Sequence, residues 1–341
     1  MDNTVLVLGA RGRLGGAVAQ AFAAAGWRVL AQRRAGGATP PAGAGIEWVS
    51  AEAADTATLQ RVAAGARVVV HAMNPAYTAA AWRAEAPGLM QAAINIAAAL
   101  GARLLFPGNV YNFGAGMPAL LAPGTPQRPT TGKGRIRVDL EQQLAQAARQ
   151  HGFAATVIRA GDFFGAGSGS WLDQVIVKKL PQGRVTWPGA LEAPHAWACL
   201  PDLARTFVSV AEAPAAPGSF ECLHFAGHTV TRADWLAALT EVAWEQGWLP
   251  AGGALHTGTL PWGLMRLLSP FNATVASLRE MRYLWDVPHA LDGTALAQRI
   301  GPVPHTSFAD AVRTAILALD LGPCGANAAG RRAGGTATQG V

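Results

Sequence analysis

Seven residues near the N-terminus, Gly9-Ala10-Arg11-Gly12-Arg13-Leu14-Gly15, constrain this chain more than any others. Three glycines at intervals of three stand between a short apolar run, residues 5–8, and an alanine-rich stretch of helical spacing that reaches about residue 25. Glycines in a strand-to-helix turn allow a tight reversal, let the helix pack closely on the strand, and leave bare backbone for a phosphate to approach. The helix N-terminus then presents unpaired N–H groups and a partial positive charge to an anion. Residues Gly9, Ala10, Arg11, Gly12, Arg13, Leu14 and Gly15 are therefore predicted to hold the pyrophosphate of a dinucleotide.

The same alternation continues along the chain. Short, unbroken apolar segments are predicted as strands at 28–32, 47–49, 67–71, 103–106 and 156–159, separated by helices over 55–64, 80–100 and 135–150. Strands apolar on both faces, alternating with helices, imply an α/β fold with a doubly wound parallel sheet of the Rossmann type. Residues 1–161 are read as the Rossmann dinucleotide-binding domain. Beyond Gly161 the pattern becomes irregular, and most of the 11 tryptophans lie there. Residues 162–321 are read as a smaller, mostly substrate-binding region that returns to the sheet, with helices near 232–246 and 307–319. The tail, 322–341, has no periodicity and is expected to be flexible.

Composition narrows the partners. The net charge of +6 rests on 24 arginines and only 3 lysines, scattered without a run. A nucleic-acid surface needs clustering, so none is expected; a local basic pocket for one anionic small molecule fits better. Charged residues make up 14% of the chain, against a typical ~25%, which leaves room for a homodimer interface. The three cysteines, Cys199, Cys222 and Cys324, are far apart and form no CxxC, so no disulfide framework is expected and a reducing compartment suits them. No apolar stretch approaches ~18 residues, and residues 1–4 lack a basic leader; a cytoplasmic, non-membrane protein is expected. Cys222, His224 and His228 have a spacing worth testing for a metal, but no carboxylate nearby completes the set, and none is expected.

The second strand discriminates between cofactors. An NAD site wants Asp or Glu at that strand's end to bind the ribose 2′-hydroxyl. Here it ends Gln32-Arg33-Arg34, with no acidic residue between Asp2 and Glu47. Guanidinium groups at Arg33 and Arg34 would bind a 2′-phosphate by charge-assisted hydrogen bonds. NADP(H) is therefore expected in preference to NAD(H).

Further segments add to the glycine turn. They are Val68-Val69-Val70-His71-Ala72, Phe106-Pro107-Gly108-Asn109-Val110-Tyr111-Asn112-Phe113-Gly114, Val157-Ile158-Arg159-Ala160-Gly161-Asp162-Phe163-Phe164-Gly165 and Leu200-Pro201-Asp202-Leu203-Ala204-Arg205. Together these resemble the short-chain dehydrogenase/reductase superfamily in its extended, epimerase/dehydratase-like branch, over about residues 4–320. The resemblance implies further cofactor contacts at Glu52, His71, Ala72, Asn74, Lys133, Arg159, Gly161, Asp162 and Phe163. The chain departs from that family where its chemistry resides, since none of its three tyrosines has a lysine four residues later. Counting back from Glu141, the slots of the family's Tyr and Lys hold Lys133 and Arg137, and the Ser slot holds Asn109. An atypical member results.

Lys133 could serve as the proton donor if burial and Arg137 lower its pKa. Asn109 could hydrogen-bond a substrate carbonyl, and Tyr111 is a further candidate acid. The expected function is NADP(H)-dependent oxidation or reduction of a small carbonyl or alcohol substrate. The alternatives are a non-catalytic NADP(H)-binding redox sensor and a sugar-nucleotide epimerase or dehydratase.

Overall fold

Apolar residues in unbroken runs leave a strand no solvent face, so the strands stack side by side between two helical layers. In the computed structural model, which describes residues 3–36, 45–189 and 192–322, fourteen strands can be traced. They are β1 (Thr4–Leu8), β2 (Arg28–Arg33), β3 (Ile46–Ser50), β4 (Val68–His71), β5 (Arg103–Gly108), β6 (Leu120–Leu121) and β7 (Ala155–Arg159). Then follow β8 (Asp162–Phe164), β9 (Arg184–Trp187), β10 (His195–Cys199), β11 (Phe220–His224), β12 (His228–Val230), β13 (His256–Thr259) and β14 (Ala290–Leu291). The interior of the Gly/Pro loop after β2 lies outside the described residues, as does the tail beyond Gly322.

Seven strands form one parallel sheet in the order β11-β7-β5-β4-β1-β2-β3. The doubly wound α/β sheet read from the sequence is thus present. Successive residues of a strand face opposite sides, so Val5 and Val7 enter one core while Leu6 and Leu8 enter the other. Helices α1 (Arg13–Ala24) and α5 (Leu200–Glu212) cover the first face. Helices α2 (Thr56–Val62), α3 (Ala79–Leu100) and α4 (Gly132–His151) cover the second. The chain winds outward from β1 to β3 and then crosses to β4. Leu8 pairs with His71, so the ends of β1 and β4 open a crevice at the point where the winding reverses, the place such sheets bind ligands.

The start of α4 corrects the sequence reading. Periodicity placed it near Arg135, because Gly132 and Gly134 are poor helix formers. The Thr131 hydroxyl instead accepts the Gly134 N–H at 3.1 Å, a side-chain cap that starts the helix at Gly132. Lys133 therefore sits in its first turn.

The remaining chain forms a second, aromatic core beside the sheet's C-terminal edge. It includes a three-stranded sheet, β12-β10-β8, and the pairs β13–β9 and β14–β6. Helices α6 (Arg232–Glu245), α7 (Trp262–Leu268), α8 (Ala273–Glu280), α9 (Tyr283–Asp286) and α11 (Phe308–Leu317) complete it, while α10 (Thr294–Ile300) packs back onto the α1/α5 face of the main sheet. Phe164, Trp187, Trp197, Trp235 and Trp285 pack at its centre. Strand β11 lies between β10 and β12 in the chain yet pairs with β7 in the main sheet.

Candidate functional site

The glycine turn is built from backbone in contact with backbone. Gly9 has φ +79°, and a Cβ there would lie 2.9 Å from the Met73 nitrogen. At Gly15 a Cβ would lie 2.3 Å from the Gly9 carbonyl oxygen, so no larger residue fits without moving the turn. The N-cap of α1 is Gly12, with no side-chain cap and no acid in the first turn. The first N–H groups of α1 have no partner within the helix, and a groove of about 360 Å³ lies beside them, lined by Ala10, Arg11, Gly12, Arg13, Gly16, Ala17, Gln20, Trp48 and Ala166. No acidic side chain lines it. These features suit a pyrophosphate.

Two contacts brace the turn from either side. The Arg13 guanidinium donates to the Gly165 carbonyl at 2.7 Å, tying the loop 165–170 across the turn, where Asp173 accepts the Gly169 and Ser170 N–H groups. On the other side, the Gln32 side chain accepts the Gly9 N–H at 2.8 Å and donates to the Ala51 carbonyl at 2.6 Å. Arg33 is buried at the end of β2 with Nη1 3.3 Å from the Gly36 carbonyl, while Arg34 is exposed. Glu52, just after β3, accepts the Ala35 N–H at 3.3 Å. Arg33, Arg34 and Glu52 therefore gather at one end of the crevice. His71 ends β4, buried against Phe106, and burial pushes its imidazole down to about 3; it is neutral.

Beyond the ends of β4 and β5 lies a cluster of side chains from distant parts of the chain. Lys133 is fully enclosed, and its ammonium donates to Glu280 Oε2 at 2.9 Å. Glu280, at the end of α8, also accepts the Gly132 N–H through Oε1 at 2.7 Å, so one carboxylate caps α4 and neutralises its lysine. The same ammonium lies 4.8 Å from the centre of the Tyr77 ring, a cation–π contact. The Tyr77 and Tyr111 hydroxyls are 3.3 Å apart. Asn109 accepts the Tyr111 N–H at 3.0 Å through Oδ1, fixing the turn that carries Tyr111 and leaving its amide N–H₂ available. Gly134 allows that turn to approach α4, since a Cβ there would lie 2.5 Å from the Tyr111 carbonyl oxygen.

Burial pushes the Tyr111 hydroxyl well above the usual phenol range, with Tyr77 and the Asp162 carboxylate adding to it. Tyr77 and Tyr283 are raised by burial as well. All three are phenols, not phenolates, at neutral pH. Asp162 Oδ2 lies 3.0 Å from His195 Nε2, while His195 Nδ1 faces the Leu284 carbonyl at 3.1 Å. Both ring nitrogens of His195 thus face oxygen atoms.

Comparison with known proteins now adds to this geometry. Residues 5–222 match the NAD dependent epimerase/dehydratase family. The chain belongs to that family. Similar folds include the UDP-glucose 4-epimerase of Thermotoga maritima with UDP-glucose (TM-score 0.72, 15% identity, 92% of this chain and 98% of that one). The UDP-glucose 4-epimerase of Brucella ovis in complex with NAD is another (0.69, 17%, 92% and 97%). A third is a nucleoside-diphosphate-sugar epimerase from Pseudomonas aeruginosa (0.66, 19%, 93% and 97%). At these identities the likeness is one of fold. No curated protein sequence matches the chain.

Within this family member the sequence-derived residues separate into groups. Gly9, Ala10, Arg11, Gly12, Arg13, Leu14 and Gly15 form the turn, with Ala72 and Met73 against Gly9; exposed Asn74 follows them after β4. Arg137 is wedged between Trp82 and Phe106 and donates to the Pro107 carbonyl at 3.1 Å. Arg159 is committed elsewhere: it grips buried Glu141 at 3.1 and 2.5 Å and lies 3.2 Å from His224 Nε2. That buried pair holds β7 to α4, and its guanidinium has no reach to spare for a cofactor. Gly161 serves packing, since a Cβ there would lie 2.0 Å from the Ala196 carbonyl oxygen. Phe163 packs against the α1/α5 core.

Sequence reading missed Tyr77, Tyr283 and Glu280. One signal was present: the chain has only three tyrosines, and all three border the same small core. Nothing in the local sequence marks Glu280.

Proposed function

We propose that this chain is a nicotinamide-dinucleotide-dependent reductase of a small carbonyl compound, with NADP(H) preferred and Tyr111 as proton donor. The carrying observation is the pairing of Tyr111 with Tyr77 beside a Lys133 whose ammonium is bound by Glu280. A bound dinucleotide supplies or accepts the hydride. Reduction places negative charge on the substrate oxygen, and a phenol held in its protonated form can deliver a proton to it. Tyr77, 3.3 Å away, is the neighbour from which Tyr111 recovers a proton. The free amide of Asn109 orients the substrate oxygen, and Lys133 positions Tyr77 while anchoring α8.

Sugar-nucleotide epimerisation, named for the structural neighbours, begins by removing a proton from a hydroxyl. That step needs a base, and the group that donates a proton in reduction is the one that accepts it in the reverse direction, so epimerisation through the same Tyr111 stands as the second reading, favoured by the family match. Arg33 and Arg34 support NADP(H), since guanidinium groups suit a 2′-phosphate.

The test is single-turnover consumption of NADPH across a panel of aldehydes, ketones and enones. Tyr111→Phe should lower the rate by ~10²–10⁴, the range of general acid catalysis, with dinucleotide affinity within a few-fold. A full rate in Tyr111→Phe combined with a lost rate in Lys133→Met would return the role to Lys133. Tight NADPH binding with no consumption of it across the panel would favour the sensor reading.

A further inference from the structure

Asp202, His228 and His305 come from three separate places: the first turn of α5, the first residue of β12, and the segment before α11. One ligand atom of each lies within 4.8 Å of the other two. Asp202 is fully buried and His228 is 6% exposed, while His305 is open to solvent. His228 is the unusual member. Its Nε2 is buried with no hydrogen-bond partner among the described residues, although buried ring nitrogens ordinarily find one. Its ring lies 4.8 Å from that of His305, with Phe308 and Phe164 at 5.4 and 5.9 Å.

We propose that Asp202, His228 and His305 form a binding site for a divalent first-row transition cation such as Zn²⁺, apart from the dinucleotide crevice. Two imidazoles and a carboxylate are a donor set such cations prefer, with solvent completing the coordination on the exposed side. Asp202 is aimed by the Thr306 N–H at 2.7 Å, the Thr306 hydroxyl at 2.8 Å and Arg205 at 2.5 Å. A carboxylate has about four lone-pair sites, and these donors leave one. Outer partners of this kind orient metal ligands.

Zinc bonds of ~2.0–2.1 Å set tetrahedral donors about 3.4 Å apart. The three groups must therefore draw together by up to about 1.4 Å, a movement the exposed His305 segment can supply. The cation would fasten the segment before α11 to the start of α5, a structural clamp on the aromatic half of the molecule. The sequence hid it: Cys222 and His224, which share the local spacing, face other partners, and His224 bonds Leu121 and Arg159.

The full chain, stripped with chelator, would be titrated with ZnCl₂ by calorimetry in a non-coordinating buffer. One equivalent is expected to bind at micromolar affinity and raise Tm by several degrees, and Co²⁺ should give the absorption of a tetrahedral site. His305→Ala removes an exposed side chain and leaves the fold intact; with His228→Ala it should weaken binding at least tenfold and abolish the rise. His256→Ala, at another exposed histidine, should change nothing. Absence of saturable binding, or binding unaltered in both His305→Ala and His228→Ala, or binding lost in His256→Ala, would overturn the proposal.

Discussion

The glycine turn and the tyrosine cluster lie at the same end of the sheet, yet they are constructed in opposite ways. The turn is contiguous, and its recognition groups are backbone N–H donors whose exposure depends on missing side chains. The cluster draws Tyr77, Tyr111, Lys133, Asp162, Glu280 and Tyr283 from five segments, and its chemistry depends on which side chain pairs with which. A backbone device survives only if its glycines survive, so its pattern stays readable. A side-chain device can exchange members: with Lys133 where the family has Tyr, the proton-donating task can move to Tyr111, and Lys133 can become an anchor for Glu280.

The comparison can be broken at the turn. At Gly12 a Cβ would meet the Gly9 oxygen at 3.2 Å and the Ala72 oxygen at 4.0 Å, and Gly12 has φ −70°, so Gly12→Val adds bulk toward the groove at little backbone cost. It should lower NADPH affinity ~100-fold or more, about 2.7 kcal/mol, with Tm little changed. Gly15→Val should cost both affinity and stability, because its Cβ would sit 2.3 Å from backbone. Fluorescence titration and thermal melts separate the two; retained affinity in Gly12→Val would misplace the dinucleotide site.

The cluster can be loosened at its anchor. Burial alone would raise the Glu280 carboxyl, but the Lys133 bond and charge and the Gly132 and Lys133 amides hold it below the usual range. A lowered folded pKa contributes stability that is fully present above the unfolded value, ~4.3, and is lost as pH falls through the folded value. Glu280→Gln should therefore destabilise the protein by about 1–2 kcal/mol at pH 7, less than a fully buried pair because Glu280 is partly solvated. The gap between wild type and variant should close in acid. Urea melts at pH 7 and pH 3 measure this; a gap independent of pH would dissociate Lys133 from Glu280.

The smallest expected effect sharpens cofactor choice. Wild type should bind NADPH at least ~10-fold tighter than NADH, about 1.4 kcal/mol for one charge-assisted contact. Arg34→Ala, at an exposed position, should erase most of that ratio and leave NADH affinity unchanged. Equal affinities in the wild type would remove the 2′-phosphate reading.

Much of the fold was legible because it is written in local periods. The runs 5–8 and 67–71 mark β1 and β4 by apolarity alone, and the glycines between β1 and α1 announce the turn. The start of α4 was not, because a single hydroxyl at Thr131 outweighed two unfavourable glycines. Arg159 illustrates the limit at the site. Its motif position next to Gly161 and Asp162 gives no hint that Glu141, 18 residues earlier, fills its guanidinium.

By itself the sequence determined the parallel sheet and the bare glycine backbone of the turn between β1 and α1. These follow from residue period and from the absence of Cβ atoms, both local properties of the chain. Only the tertiary structure decided that Glu280 reaches Lys133, that Tyr77 meets Tyr111, and that His305 comes to Asp202 and His228. Those pairs are separated by 147, 34 and roughly 80–100 residues, and no local propensity records them. They exist because the α7–α9 segment and the α11 approach fold back over the ends of the strands. The charges, hydroxyls and ring nitrogens they carry then find, or lack, partners only in three dimensions.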